Sequence, residues 1–438
     1  MSEFTKKIKN LSMKKRFMII FAIMLILRIG YTIPVPFINA EYFSAMTESF
    51  HGNFFNTITG GSFKTMSLFA LSIAPYITGS IIIQLLSVIF PSIEELRKDG
   101  ESGQKKYKLL IAGSGLVLAL IEALGIALAF GRRGLLSPFN AGTVIGAVAL
   151  WTIGAGILIL IGETIEKWGA GSGISMILLA NILVGIPDDL LNVYNMYVQG
   201  RSIPIQMLVM VLFAGLLFGI IFLCTKCATA HKDIPITYSG RLRSASQKSK
   251  FPIPLFVCSV MPIIFASTIM GIASMVQMFV NAQNHPALNK FLNAFSTANW
   301  FNTAAPLYTL GVIPYIALTV LFTYFYIEIG FNPNEIAENL KKSGAMTPGL
   351  RPGAPTKEYL RKEIRKIALL GNAFMVAIIL GTNVIGSLSH INSFAMAGTS
   401  CVIAISILNE SYEKLQAEQT AVNASLLGIF KGRSKKYA

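Results

Sequence analysis

Charge is scarce in this chain. Of its 438 residues only 13% are Asp, Glu, Lys or Arg, about half the share of an ordinary soluble domain. Aspartate is rarer still. Asp99, Asp188, Asp189 and Asp233 are the only four, each in a predicted loop or at the end of an apolar run. The four histidines, His51, His231, His285 and His390, also fall outside those runs. The sequence has no HExxH, no aspartate pair in an apolar segment and no phosphate-binding P-loop, which argues against intramembrane proteolysis and nucleotide hydrolysis. Cysteine is equally sparse, at Cys224, Cys227, Cys258 and Cys401. Cys224 and Cys227 form a CxxC with no second pair and no neighbouring histidine. They read as small apolar residues near a helix end, so no metal site and no cofactor is expected.

What the chain has instead is hydrophobic length. Apolar residues make up 53% of it, and a run of about 20 such residues crosses the hydrocarbon of a bilayer. Ten runs qualify: 17–35, 68–90, 109–130, 143–162, 172–193, 204–225, 253–280, 305–329, 367–386 and 393–408. The first is long and lacks a small-residue cleavage site, so it reads as a retained span rather than a cleaved leader. An even number of spans puts both termini on one side. Of the 37 Lys and Arg residues, 31 fall on the side of the termini; Lys64, Arg132, Arg133, Arg201 and Lys290 fall opposite, and Arg28 lies within the first span. The net charge of +16 is therefore a topology signal, placing both termini in the cytoplasm.

Residues 1–16 read as a basic amphipathic segment on the membrane surface, with Phe4, Ile8 and Leu11 against Lys6, Lys7 and Lys9. Two cytoplasmic loops are long and patterned. Residues 226–251 alternate as a small hairpin would; residues 330–366 hold a helical piece, Asn334 to Ser343, before the turn Thr347-Pro-Gly-Leu-Arg-Pro-Gly353. Loops of this kind commonly serve a partner. Pro75 and Pro262 lie within the second and seventh runs, and each opens its half of a five-plus-five division, as in inverted-repeat membrane folds. Glu122 is the only acid well inside a span. One acid is little for an ion-coupled transporter, which needs ionisable groups facing a cavity; a passive channel for something large suits the poverty of charge better.

Several stretches resemble the SecY family of protein-translocation channels. They are Arg28-Ile-Gly-Tyr-Thr-Ile-Pro-Val-Pro36, Leu71 to Leu86, Gly162 to Ser175, Phe331-Asn-Pro-Asn-Glu through Gly344, Pro348-Gly-Leu-Arg-Pro-Gly353 and Gly398-Thr-Ser400. The resemblance runs from about residue 12 to residue 415. It implies an all-α integral membrane protein, with ten transmembrane helices in two pseudo-symmetric five-helix halves around a central pore. By this reading residues 1–16 are the amphipathic N-terminus, 17–193 and 204–408 the two halves, and 409–438 a cytoplasmic tail.

The resemblance also implies roles. Ile73, Ile77, Ile174, Leu178, Ile264 and Ile403 would form an apolar ring at the waist of the pore, where a dewetted constriction stops ions and still passes a polypeptide. Residues 52–67 would be the plug that seats on the ring, including Asn53, Phe54, Phe55, Asn56, Thr57, Ile58, Gly60 and Gly61. Gln84, Ser87, Glu122 and Thr268 would belong to the lateral gate through which hydrophobic segments enter lipid. Arg351, Lys232, Arg241 and Arg243 would dock the motor ATPase SecA or the ribosome. SecE and SecG membrane subunits, and preproteins bearing signal sequences, are the other implied partners. The implied location is the bacterial plasma membrane, the implied role conduction rather than enzyme catalysis. The chain departs from the family's pattern at His231-Lys232-Asp233, where arginine is commoner, and at Glu122, where glutamine is common. An accessory channel with a narrower clientele, or an inverted-repeat secondary transporter, are the alternatives.

Overall fold

The computed structural model describes residues 13–39, 43, 59–168, 171–199, 202–238, 249–258, 260–279, 286–296, 300–301, 306–330, 333–342, 345–346, 354–388, 398–414 and 416. Helix α1 covers Met13–Thr32 and stops just before Ile33-Pro34, because the residue ahead of a proline is pushed out of the helical region. A single turn, α2 (Ser62–Thr65), precedes α3 (Ala74–Ile89) and α4 (Pro91–Lys98), which are bent by 108° at Phe90-Pro91. Then follow α5 (Gly100–Phe130), α6 (Ala141–Lys167), α7 (Gly173–Val193) and α8 (Ile203–Thr229). A hairpin of β1 (His231–Tyr238) and β2 (Ser249–Pro254) leads to α9 (Met261–Phe279) and the short α10 (Pro286–Phe295). The chain continues through α11 (Val312–Gly330), α12 (Pro333–Lys342), β3 (Ala345–Met346) and α13 (Ala354–Leu388), and residues 398–414 form α14.

Ten of these helices, α1, α3, α5 to α9, α11, α13 and α14, lie at the ten predicted spans. Among the described residues five stretches are by length and composition long and apolar enough to cross a membrane, or six if the bent α3–α4 pair is one span. The shorter ones begin later than the hydrophobic runs suggested. Residues 68–73 are turns, with Ser72 in the left-handed region at φ 51°, so α3 starts at Ala74 and not at 68. The seventh run begins as strand β2, which carries Pro252 and Pro254, so its helix starts at Met261 and not at 253. Pro75 and Pro262 consequently sit in first turns, not deep inside spans. There the missing N–H has no helical acceptor to lose, and the fixed φ favours initiation. The first helix, by contrast, starts at Met13, ahead of the predicted 17.

The chain divides into two compact units, one of Met1–His51, Phe55–Pro187 and Ile407–Ala438, the other of Gly52–Phe54 and Asp188–Ser406. In the first unit α3 and α5 cross at glycine. A Cβ on Gly79 would come 2.7 Å from Ser114 Oγ and 2.8 Å from the Gly115 amide; one on Gly115 would come 3.0 Å from the Tyr76 Cα. Small residues let membrane helices approach backbone to backbone, where dispersion replaces a hydrophobic force that lipid cannot supply. At the start of α6 the Asn140 and Thr143 side chains form a reciprocal capping box, which satisfies two amides that would otherwise be orphaned.

In the second unit the three-stranded sheet has the order β2-β1-β3 and is antiparallel throughout, with Ile234 opposite Phe251 and Tyr238 opposite Ala345. The expected hairpin in 226–251 and helical piece near 334–343 are both present. Ile234, Ile253, Ile327, Ala337, Leu360, Ile364, Ile367 and Ala368 form one buried cluster, which ties the hairpin and α12 to α11 and the first turns of α13. Each buried isoleucine contributes about 1.5–3 kcal/mol, enough to hold the two long loops as one body.

Candidate functional site

Most of the residues expected to form the ring sit where helices begin. Ile73 caps α3, and Ile77 follows one turn later, its amide donating to the Ile73 carbonyl at 3.1 Å. Ile174 and Leu178 hold the same i, i+4 relation in the first turns of α7. Ile264 lies in the first turn of α9 and Ile403 within 398–414. Residues four apart stack on one helix face, so each pair offers an apolar surface two side chains deep. Ile73, Ile77, Leu178, Ile264 and Ile403 are buried. Ile174 is half-buried and packs on α6: a Cβ at Gly162 would stand 2.5 Å from its Cδ1.

Of the expected plug, Asn53, Phe54, Phe55, Asn56, Thr57 and Ile58 lie outside the described residues, while Gly60 and Gly61 are described. Both glycines have positive φ, 58° and 81°, a conformation in which a side chain is strained. The Arg28 guanidinium, one turn from the end of α1, donates to the Gly60 carbonyl at 3.0 Å and lies 5.4 Å from the Tyr31 ring centroid. Beside it Asn181 Nδ2 donates to Ser72 Oγ at 2.9 Å, and the Tyr31 hydroxyl stands 3.3 Å from the same oxygen. Sequence reasoning named neither Asn181 nor Ser72, and treated Arg28 only as a cation within the first span and a motif residue. The signal was a cation inside a span, which must find acceptors in so dry a place.

The residues expected at the lateral gate differ from one another. Ser87 is buried and donates to the Gln84 carbonyl at 2.7 Å; Thr268 donates to the Ile264 carbonyl at 2.7 Å. Each hydroxyl donates within its own helix. Glu122 has no hydrogen-bond or ion-pair partner among the described residues, and its Oε2 is buried. Counted from the helix ends at Thr32 and Phe130, Arg28 lies about 6 Å in and Glu122 about 12 Å in, at 1.5 Å per residue.

On the expected cytoplasmic face, Arg351, Arg241 and Arg243 lie outside the described residues. Lys232 is described, and its ammonium is engaged: Nζ is 2.6 Å from Glu363 Oε2 on α13. The hydrogen bond from Lys232 holds the Glu363 carboxyl below the usual carboxylate range, and Glu363 raises Lys232 in return. Lys250 pairs with Asp233 at 2.8 Å across the hairpin. Among the described residues no group of three His, Cys, Asp or Glu could hold a metal ion.

The fold has solved counterparts. The structure of a protein-conducting channel matches with a TM-score of 0.67 at 22% identity, covering 91% of both chains. Sec61 in the canine ribosome–channel complex from the endoplasmic reticulum matches with 0.62 at 21% identity, again covering 91% of both chains. This is the fold of the helical membrane channels that conduct protein. The SecY family model matches residues 67–412. The protein translocase subunit SecY of Streptococcus sanguinis is 35% identical over 94% of both chains, and that of Escherichia coli 31% identical over 92% of this chain and 91% of its own. The chain belongs to the SecY family.

Proposed function

We propose that this chain is the pore-forming subunit of a bacterial protein translocase. It moves unfolded secretory polypeptides across the membrane and releases hydrophobic segments sideways into lipid. The observation that carries this reading is identity along nearly the full length with subunits named for protein translocation. In this reading the chain conducts and performs no catalysis of its own. The apolar ring is Ile73, Ile77, Ile174, Leu178, Ile264 and Ile403, and the plug comprises residues 52–67. SecE and SecG are its membrane partners, and SecA or a ribosome delivers substrate to Arg351, Arg241 and Arg243. The placement of 31 of 37 basic residues supports cytoplasmic termini in a plasma membrane. One observation favours the accessory variant: the hairpin spends Lys232 and Lys250 on Glu363 and Asp233, leaving less charge for docking. The test is transport of a secretory precursor in vesicles holding this chain and SecE with SecA and ATP, and its loss when SecE is left out.

The lateral gate is proposed at Gln84, Ser87, Glu122 and Thr268. A buried carboxyl oxygen without a partner costs about 1–3 kcal/mol, and it stands ready for a polar group on an arriving helix. Glu122→Leu is expected to raise thermal stability, because an unpartnered buried carboxyl is removed, and to lower export of a weak-signal reporter several-fold, because the arriving helix loses its polar contact. Glu122→Gln keeps a hydrogen-bonding group and should leave export at the parental level. Parental export in the leucine variant would remove Glu122 from the gate.

A further inference from the structure

The short helix α10 (Pro286–Phe295) has an apolar side wider than the face the protein covers. Leu288, Phe291, Leu292 and Phe295 share one side at helical spacing, while Lys290 and Asn293 lie around the other. Leu292 is buried, but Phe291 is 60% exposed and Leu288 44%. The half-buried Phe295 ring lies 5.0 Å from that of Phe291, centroid to centroid, and carries the uncovered strip to the end of the helix. Large apolar side chains left bare side by side mark a surface that meets something other than water.

The depth of α10 says what it meets. The apolar stretch Pro306–Glu328 is long enough to cross a bilayer, and it opens with the 3-10 turn Pro306–Gly311. The C-terminal end of α10 is packed against the inner end of that turn, where a Cβ on Gly311 would collide with the Ala294 carbonyl oxygen. The Trp300 indole N–H donates to the same carbonyl at 3.0 Å, and its ring stacks edge-on to Tyr315 of α11 at 5.3 Å. At about 2 Å per residue, Gly311 lies about 10 Å past the first residue of the stretch. Thus α10 lies beside the first turns of a span and not beyond them. Leu307 and Leu310 of those turns are themselves exposed, as is Ile313 of α11, so the bare strip of α10 continues a lipid-facing surface. This is also the end away from the sheet. Helix α9 starts shortly after β2, its 19 residues rise about 28 Å, and α10 follows its other end.

We propose that α10 is an interfacial helix, with its Leu288, Phe291 and Phe295 edge seated in the headgroup–acyl boundary of the leaflet away from the hairpin. Amphipathic helices lie about 5–10 Å into that boundary, which agrees with the depth at Gly311. Lys290, exposed on the far flank, keeps its ammonium among headgroups and water. Seated in this way, α10 fixes the depth of the adjoining ends of α9 and α11, two helices packed together through Phe265 and Phe322 at 5.4 Å.

The test is fluorescence quenching of Phe291→Trp, in the full chain reconstituted in vesicles of phosphatidylethanolamine and phosphatidylglycerol. The parental emission of Trp151, Trp168 and Trp300 is subtracted. Lipids carry bromine near the carbonyl end or near the methyl end of the acyl chain, and iodide is present on both sides of the membrane. Carbonyl-end bromine should quench the added emission several-fold more than iodide or methyl-end bromine does. Lys290→Trp should show the reverse preference, for iodide. Should Phe291→Trp fail to accumulate, Leu288→Trp takes its place with the same expectation. Quenching of Phe291→Trp by iodide and not by bromine would overturn the proposal, because the strip would then stand in water. Quenching by neither would overturn it too, with the strip covered by another part of the chain or by a second copy. Stronger quenching by methyl-end bromine would put α10 inside the hydrocarbon and overturn the interfacial seat.

Discussion

Ile264→Ser combined with Ile403→Asn should open a leak to ions in the resting channel. Both side chains are buried, and in the proposed ring their surface is what keeps water out. A narrow apolar passage resists ions because water between apolar walls gives up hydrogen bonds it cannot replace. A hydroxyl and an amide restore those bonds. The dry state should lose about 3 kcal/mol in all, roughly a hundredfold in the balance between wet and dry. Planar-bilayer conductance reads this directly, and the demand for a strong signal sequence should relax in parallel. Ile174 gives an internal contrast. Its Cδ1 packs against Gly162, so Ile174→Ser should cost stability at the α6–α7 contact as well as any seal. If the double variant conducts no more than the parent, with the plug present or deleted, these residues do not line the waist.

Arg351→Glu should abolish SecA-driven transport while leaving the chain folded and bound to SecE. The residue lies in the turn Pro348-Gly-Leu-Arg-Pro-Gly353 of the loop with the most basic residues. A reversed surface charge usually shifts stability by no more than about 0.5 kcal/mol. An electrostatically steered encounter is far more sensitive, and losses of tenfold or more are expected where a patch meets its complement. Arg351→Lys should keep part of the activity, because the charge remains while the planar fork is lost. The same position as Arg351→Cys, treated with a reagent that cannot cross the membrane, checks the proposed orientation: it should label from the cytoplasmic side alone. Normal transport by the glutamate variant would remove Arg351 from the docking surface.

Much of the fold was legible in the sequence because lipid imposes a simple rule on it. Long apolar runs mark the helices and basic residues mark their loops, so all ten helix positions and a hairpin within 226–251 could be read, although its second strand runs on to Pro254. The starts of α3 and α9 could not. Residues 67–73 and 253–258 are as apolar as the spans they precede, and only the left-handed Ser72 and the prolines of β2 interrupt them. The candidate site was legible chiefly through resemblance, since an isoleucine facing lipid and one facing a pore look alike in a sequence. The Arg28–Gly60 contact escaped for a different reason. A carbonyl in a glycine turn leaves no side-chain signature to pair with an arginine.

The central claim is that this chain conducts polypeptide and not solute. The direct measurement is protease protection of a radiolabelled secretory precursor in vesicles containing the chain and SecE, with SecA and ATP outside. The account predicts protected, full-length precursor that vanishes without ATP, without SecE or with a signal-deleted precursor. No protected precursor under the complete conditions, together with specific uptake of a small solute by the chain alone, would contradict it.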